Sequence, residues 1–355
     1  MKWIIPISVG LLAGISLVSL GSIAPDLVPR QISYFVVGYL CFYFSSKVNF
    51  EKLLHVSKIM YILTLLILFL LLILGISTRS TVRWINLPLG FKIQPSQFVP
   101  MVVSLFVVSR KNFFQVDHWN ELIKLSVCIL LPVFLIFLQP DFGTSVVISI
   151  SLFSILLISS IKPSQVLSLL GIFIFVLVFT WFFALKPYQK ARITGFISSE
   201  GQINQDTSYN ARQALIAVGS GQLYGRGLGA GVQSHLRFLP ERQTDFIFAS
   251  IAEEWGFVGS LLIIMLYLAL LSCLLFSVYK ANDLRIKSLL IVVFVNLFLQ
   301  ISINIGMNVG LLPITGLTLP FLSYGGSSIL SFMIFLGLAF NVISLHKPRI
   351  SLKIK

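Results

Sequence analysis

Ten apolar runs constrain this chain more than any other feature of its sequence. Most of them approach the length of about 20 residues that a helix needs to cross a bilayer. The fourth run is shorter, and three arrangements are possible for it: a tilted, an interfacial or a partly re-entrant segment. The pattern predicts an all-α polytopic membrane protein with about ten transmembrane helices, in which residues 1–355 form a single integral membrane domain. The runs fall at roughly 4–24, 31–46, 59–77, 98–109, 122–138, 144–161, 165–185, 247–279, 288–311 and 326–345.

Composition agrees with a membrane protein and argues against several other classes. Of the 355 residues, 57% are hydrophobic and only 11% are charged, far from the balance of a soluble domain. The net charge of +14 is spread through the loops, so it does not indicate a nucleic-acid partner. The three cysteines and four histidines are scattered, without the spacing of a disulfide or a zinc site. The N-terminus lacks a small-x-small cleavage site, so the first run is interpreted as a span.

The basic residues predict the orientation in the membrane. An even number of spans puts both termini on one side, and the loops on that side carry fifteen lysines and arginines. The short loops on the other side carry four. Because cytoplasmic loops carry the excess of positive charge, both termini are predicted to be cytoplasmic. The remaining seven basic residues lie in the long loop 186–246, which is predicted to be extracytoplasmic.

The type of basic residue also differs between the two sides. Arginine supplies eight of the eleven positive charges outside, but only three of the fifteen inside. A planar guanidinium suits bidentate contact with phosphate or carboxylate. The outer face is therefore predicted to bind an anionic ligand, with contact to lipid headgroups as the alternative.

The run from Tyr209 to Gly256 collects the scarce acidic residues. Five of the twelve acids fall between Asp206 and Glu254, and charge beside a membrane is a functional signal. Six glycines cross the same run, at 219, 221, 225, 227, 229 and 231. No strand precedes them, so their match to a dinucleotide-binding fingerprint is rejected. A flexible hinge that approaches another backbone closely is predicted instead.

Asp245 is the candidate catalytic residue of this run. With Thr244 as its cap, the eighth span would hold Asp245 in its first turn. Acids at that position are also common as structural partners of the helix dipole, so both interpretations stay open on this residue alone. On a continuous helix, Glu254 would face the opposite way, toward a partner helix or an outer-loop arginine. The small residues beneath Asp245 predict either close helix packing or a groove for a lipid tail; they are Ala249, Ala252, Gly256 and Gly259.

Three other outer segments are informative. Residues 81–86 and 94–97 are predicted to form an ordered interfacial loop anchored by Trp84. Asp141 is interpreted either as the N-cap of the sixth span or as a functional acid. Two prolines and three glycines between Leu312 and Ser328 predict irregular backbone at membrane depth. Such backbone is tolerated only where it is buried in protein or lines a cavity.

Motifs spread along nearly the whole chain resemble the SEDS family of shape, elongation, division and sporulation proteins, which includes RodA and FtsW. The sequence at Gln233–Ser234 and Phe238–Arg242 is more similar to the RodA elongation branch. Thr315 also favours that branch, because the FtsW branch often has lysine at this position. The chain departs from the family at Gln97 and Pro100, where glutamate and lysine are usual. The matching motifs are Arg83–Ile85, Gln94–Ser96, Gln139–Thr144, Tyr188–Ile193, the glycine-rich run, Leu239–Phe248 and Pro320–Ser328.

The resemblance implies the SEDS fold and a peptidoglycan glycosyltransferase of the bacterial cytoplasmic (inner) membrane that serves cell elongation. Its substrate would be lipid II, its partner a class B penicillin-binding protein, and its active site would lie in the loop 186–246. The catalytic aspartate of the family matches Asp245. The implied substrate-binding residues are Glu241, Arg192, Arg212, Arg237, Arg242, Lys186, Tyr188, Gln189 and Ser323.

The mechanism implied by the resemblance is an inverting glycosyl transfer. Asp245 would take the proton of the acceptor's GlcNAc 4-hydroxyl, which attacks the anomeric carbon of the undecaprenyl-pyrophosphate-linked donor. Arg192 and Arg212 are the leading candidates for the residues that hold the leaving pyrophosphate. No dedicated metal site is expected, although Mg²⁺ or Mn²⁺ could arrive with the pyrophosphate.

Two other functions are alternatives to a polymerase: a lipid II flippase, and a non-enzymatic scaffold that activates a penicillin-binding protein. A flippase needs polar groups along a path across the membrane. Here the acids cluster at the outer end of the spans, and mid-span ionisable residues are nearly absent. This distribution favours the polymerase.

Overall fold

The computed structural model describes residues 2–74, 83–86, 92–110, 119–159, 162–185, 189–190, 194, 196 and 205–345. Within these ranges the regular secondary structure is helical, apart from one short two-stranded hairpin. The helices are α1 Ile4–Ile23, α2 Val28–Ser45, α3 Phe50–Leu74, α4 Val99–Val108, α5 Trp119–Leu138, α6 Phe142–Phe153, α7 Pro163–Phe179, α8 Gln205–Ser220, α9 Val232–His235, α10 Ile247–Lys280, α11 Leu284–Asn308 and α12 Gly326–Leu345.

Each of the ten predicted apolar runs overlaps one of these helices in its described residues. Among the described residues, six helices are long and apolar enough to cross a membrane: α1, α3, α5, α10, α11 and α12. Shorter apolar helices lie at Pro95–Val108, Phe142–Leu156 and Pro163–Ile172. The all-α polytopic class is confirmed, whereas the count of ten crossings stays a prediction.

The fourth run forms a core helix. All ten residues of α4 are buried, because α3, α5, α6 and α11 pack around it. At 1.5 Å per residue it rises about 15 Å, half of the hydrocarbon thickness. A 3-10 turn at Pro95–Phe98 leads into it. Burial on every side explains why this run is apolar although it is too short to span.

The described parts of the loop before α4, residues 83–86 and 92–98, contain regular structure, while residues 81 and 82 of the predicted interfacial loop lie outside the described residues. The strands β1 (Ile85–Asn86) and β2 (Lys92–Ile93) pair antiparallel. The Ser327 hydroxyl accepts from the Gln94 amide at 2.9 Å and donates to the Lys92 carbonyl at 2.9 Å. These bonds tie the hairpin to the first turn of α12.

Asp141 caps α6, which confirms the structural interpretation of this residue. Its carboxylate accepts from the Thr144 amide at 3.4 Å. It also lies 3.2 Å from Nη1 of Arg83 and accepts from Gln94 Nε2 at 3.0 Å. Asp141 therefore joins α6 to the hairpin segment.

Helix α10 is kinked at Gly256, whose φ of 69° and ψ of −162° are not helical. Residues 257–280 alone rise about 36 Å, which is enough to cross the bilayer. The segment 247–254 before the kink is entirely buried, and the helix as a whole packs chiefly against α1, α8 and α11. The kink thus separates a membrane-crossing part from a short part that carries the candidate site at its head.

Candidate active site

The loop that leads into α10 is anchored at both ends by buried apolar side chains. Leu239 is fully buried and Phe246 is 2% exposed. They pack with Ala214 and Ala217 of α8 and with Ala249 of α10. Between the two anchors, residues 240–245 keep part of their surface exposed. The sequence therefore folds here into a polar turn held over a small apolar cluster.

The start of α10 differs from the prediction. The helix begins at Ile247 with Phe246 as its cap residue, and no side chain of that residue caps it. The prediction that Thr244 is the cap was wrong, because its hydroxyl donates to the Glu241 carboxylate at 3.2 Å instead. The amides of Thr244 and Phe246 both donate to the Glu241 carbonyl. Asp245 therefore lies in a turn just outside the helix, where it is half-buried.

Backbone strain is concentrated around this turn. Arg237 and Glu241 have φ values of 62° and 50°, and Phe321, in the facing segment before α12, has a φ of 66°. A left-handed conformation of a non-glycine residue costs about 1–3 kcal/mol and persists where the surrounding structure imposes it. Such strain is common at functional sites, and here it singles out the two segments that meet beside Asp245.

Three successive main-chain carbonyls of the turn are held by other segments. The Tyr324 amide donates to the Gln243 carbonyl at 2.8 Å, and the Ser323 hydroxyl donates to the Thr244 carbonyl at 2.6 Å. The Asp245 carbonyl accepts from the side-chain amides of Asn304 and Asn308 at 3.0 and 3.1 Å. These bonds fix the main chain of the turn.

Ser323 therefore supports the turn from beneath. It is 2% exposed, and its hydroxyl also accepts from the Leu319 amide at 2.8 Å. Its contact with substrate stays a prediction. The irregular segment around it is buried in protein, as expected, since Leu317, Leu319 and Phe321 are at most 3% exposed.

Two arginines, Arg237 and Arg242, belong to the loop that leads into α10. Arg242 donates to the Ile23 carbonyl at the end of α1 at 3.2 Å, while its Nε is buried without a hydrogen-bond partner. Burial and the positive charge of Arg237 lower the pKa of the Arg242 guanidinium. Among the described residues neither arginine forms an ion pair. An anion between them would satisfy the orphaned donor and remove the repulsion.

Two buried glutamates attach the preceding loop to α10. Glu253 is fully buried and accepts from the amides of Gln233 and Ser234 at 2.8 and 3.0 Å. Glu254 accepts from the Ser22 hydroxyl of α1 and lies 2.9 Å from His235 Nε2. Glu254 thus meets a partner helix, one of its two predicted environments.

The glycine-rich run approaches α10 at its kink. A Cβ on Gly221 would lie 1.9 Å from the Ala252 carbonyl oxygen. The amides of Arg226 and Gly227 donate to the carbonyls of Glu253 and Glu254 at 2.9 and 3.0 Å. The close approach predicted for these glycines is confirmed, and it satisfies carbonyls that the kink frees from helical bonding.

The small-residue stripe beneath Asp245 does not run along a continuous helix. Gly256 breaks the helical geometry, and Ala249 and Ala252 are at most 2% exposed. These two alanines therefore allow close packing of neighbouring elements, and they do not line a groove for a lipid tail.

The other predicted substrate-binding residues are placed only in part. Lys186, Tyr188 and Arg192 lie outside the described residues. Gln189 is half-buried, and Arg212 is exposed on α8, which packs against α10. Within the described ranges no three His, Cys, Asp or Glu side chains are grouped to hold a metal ion.

The sequence analysis missed a row of buried amides on α11. Asn296, Gln300, Asn304 and Asn308 recur every four residues and are at most 3% exposed. Their i, i+4 spacing on an apolar helix was a readable signal, because polar side chains in membranes face the bundle interior.

Comparisons with known proteins agree with this architecture. The family model described as "Cell cycle protein", for FtsW, RodA and SpoVE, matches residues 7–347. The peptidoglycan glycosyltransferase MrdB of Helicobacter pylori is 32% identical over 321 residues, which cover 89% of this chain and 82% of that protein.

Two solved structures have the same fold. A structure on the coordination of polymerization and crosslinking by a peptidoglycan synthase complex aligns with a TM-score of 0.81 at 27% identity, covering 96% of this chain and 97% of the other. A mutant of the Thermus thermophilus rod shape determining protein RodA aligns with a TM-score of 0.72 at 25% identity, with the same coverage.

Proposed function

The chain belongs to the cell cycle protein family of FtsW, RodA and SpoVE, and from this premise we propose that it is a peptidoglycan glycosyltransferase of a bacterial cytoplasmic membrane. It polymerises lipid II for cell elongation, as its similarity to MrdB and RodA supports. A class B penicillin-binding protein is its partner, in line with its similarity to a subunit of a peptidoglycan synthase complex.

One observation carries the catalytic part of the proposal: the same turn holds both a carboxylate and a guanidinium. A half-buried carboxylate, Asp245, stands three residues from Arg242, which has an orphaned buried donor. Glycosyl transfer from lipid II needs a base for the attacking hydroxyl and cations for the departing pyrophosphate. Both requirements are met in a turn whose main chain is fixed at three consecutive carbonyls.

In the proposed reaction, Asp245 accepts the proton of the acceptor's GlcNAc 4-hydroxyl as that oxygen attacks the anomeric carbon of the donor. The bond from this carbon to the pyrophosphate breaks, and the configuration inverts. Arg237 and Arg242 stabilise the negative charge that develops on the leaving group. Arg192 and Arg212 remain further candidates for that role, and Glu241 positions the acceptor.

The orientation follows from the distribution of basic residues. Both termini face the cytoplasm, and the loop 186–246 and Asp245 face outward, where lipid II is consumed. The excess of fifteen basic residues over four in the short loops supports this orientation. The residues 1–355 act as one membrane domain.

A lipid II flippase is less well supported. The polar row Asn296–Asn308 runs along α11, but protein encloses it on all sides, so it does not line an open path in this conformation. A scaffold without activity would leave the orphaned Arg242 donor and the strained Asp245 turn without a role.

The test is polymerisation by the isolated protein. The purified chain, with and without its penicillin-binding partner, is incubated with labelled lipid II, and the products are separated by size. Glycan ladders that persist when transpeptidation is blocked are expected. Translocation of lipid II in proteoliposomes without any ladder would favour the flippase, and ladders made only by the partner would favour the scaffold.

A further inference from the structure

The row of amides on α11 divides into two pairs with different partners. Toward the middle of the helix, Gln300 Nε2 donates to Asn296 Oδ1 at 3.3 Å, and Asn296 Oδ1 lies 3.5 Å from the Ser151 hydroxyl. One and two turns farther along, Asn304 and Asn308 both donate to the Asp245 carbonyl. All four side chains are buried alike, so burial alone does not explain why one pair meets the Asp245 turn.

Asn308 uses both ends of its amide on the segment that carries Asp245. Its Nδ2 donates to the Asp245 carbonyl at 3.1 Å, and its Oδ1 accepts from the Ala249 amide at 3.0 Å. The first amides of a helix have no partner within the helix, and Phe246 supplies no side-chain cap here. Asn308 therefore caps α10 from a neighbouring helix.

Asn304 connects the same carbonyl to the facing loop. Its Nδ2 donates to the Asp245 carbonyl at 3.0 Å and to the Leu317 carbonyl at 2.6 Å. The Asn304 carbonyl and Oδ1 in turn accept from Asn308 Nδ2. The two asparagines are thus bonded to each other, and together they hold both Asp245 and the loop before α12 against α11.

We infer that Asn304 and Asn308 are positioning residues for Asp245, an inference that rests on the proposed role of Asp245 as the base. With its carbonyl held from one side, the point from which the Asp245 side chain projects is fixed. A reacting group displaced by about 1 Å can lose about 10²-fold in rate. Releasing the carbonyl should therefore slow the chemical step more than it weakens binding of lipid II.

The experiment compares Asn304→Ala and Asn308→Ala with Asn296→Ala and Gln300→Ala, which remove equally buried amides of the same helix. Lipid II polymerisation is measured for each purified variant, together with its thermal unfolding. We expect kcat to fall at least about tenfold in the first pair, with KM within about threefold of wild type. The control pair should keep kcat within about threefold.

Asn304→Leu and Asn308→Leu, with Asn296→Leu as their control, remove the amide but keep the branched shape of the side chain. If an alanine variant fails to fold, the leucine variant of the same position decides, because it leaves no large cavity. Equal kcat values in the two pairs, or a rise in KM with unchanged kcat, would overturn the inference.

Asp245→Asn, measured in parallel, distinguishes failure of the positioning inference from failure of the assignment of Asp245 as the base. If it is inactive while Asn304 and Asn308 variants match the controls, only the positioning inference fails. If it is active, the base assignment fails and the inference fails with it.

Discussion

Gly225 and Glu254 approach so closely that a Cβ on the glycine would lie 2.1 Å from the glutamate carbonyl oxygen. The φ of Gly225, +80°, is also one that side chains rarely adopt. Gly225→Ala should lower the unfolding temperature in detergent strongly. The left-handed backbone alone costs about 1–2 kcal/mol, and the clash with main-chain atoms adds to it.

Gly227→Ala is the matched control for this substitution. Gly227 has a φ of +94°, but a Cβ added there would meet no atom within 4 Å, so an alanine there meets only the backbone strain. We expect Gly225→Ala to be clearly less stable than Gly227→Ala. Equal unfolding temperatures would contradict the close contact between the glycine-rich run and the α10 kink.

The sequence predicted the membrane helices well, because an apolar run that partitions into lipid is visible in consecutive residues. The run 4–24 corresponds to Ile4–Ile23, and 326–345 to Gly326–Leu345. The cap at Asp141 was equally readable, because its partner Thr144 is three residues away.

The geometry of the candidate site was not predictable in the same way. The Asp245 carbonyl is held by Asn304 and Asn308, 59 and 63 residues away, and the Thr244 carbonyl by Ser323, 79 residues away. The spacing of the amides on α11 indicates that they are buried, but it does not show which distant segment they bind. The sequence therefore placed the start of α10 at Thr244. The kink at Gly256 was missed for a related reason, since its freed carbonyls are satisfied by a separate loop.

The ion pair between Arg83 and Asp141 should contribute to stability. Asp141→Asn keeps a side chain that can cap α6, but it removes the charge 3.2 Å from the mostly buried guanidinium. We expect a loss of about 3 kcal/mol, the lower end of the range for breaking a buried pair, measured by thermal unfolding. Lys124→Ala breaks the exposed pair with Glu121 and should cost less than about 1 kcal/mol. Similar losses in both variants would argue against the assigned role of Asp141.

The proposed orientation can be tested at the two ends of one helix. Tyr224, beside the kink of α10, is 82% exposed, and Tyr279, near its far end, is 84% exposed. In a variant without the three native cysteines, Tyr224→Cys should react with an impermeant thiol reagent in spheroplasts. Tyr279→Cys should react only after lysis. The reverse pattern would invert the topology and remove Asp245 from the outer face.

The arginine pair should prefer a bidentate anion. Arg242→Lys keeps a charge but loses the planar fork, so it should lower kcat for lipid II polymerisation nearly as much as Arg242→Ala. Arg226→Lys is the control, because the side chain of this arginine in the glycine-rich run donates only to the Ser220 carbonyl among the described residues. A lysine at 242 that behaves like wild type would leave Arg242 with no more than a point-charge role.

The most direct measurement of the central claim is glycan synthesis by Asp245→Asn. Asparagine preserves the shape of the side chain but does not take up a proton at neutral pH. Loss of a general base typically slows a reaction by about 10²–10⁴-fold, whereas an acid that acts only on the helix dipole contributes about 0.3–1 kcal/mol to stability. Glu254→Gln, in the buried cluster with Ser22 and His235, should retain far more turnover. We predict that purified Asp245→Asn folds, binds its penicillin-binding partner and lipid II, and makes almost no glycan. A folded Asp245→Asn protein that polymerises lipid II within a few-fold of wild type would contradict the account.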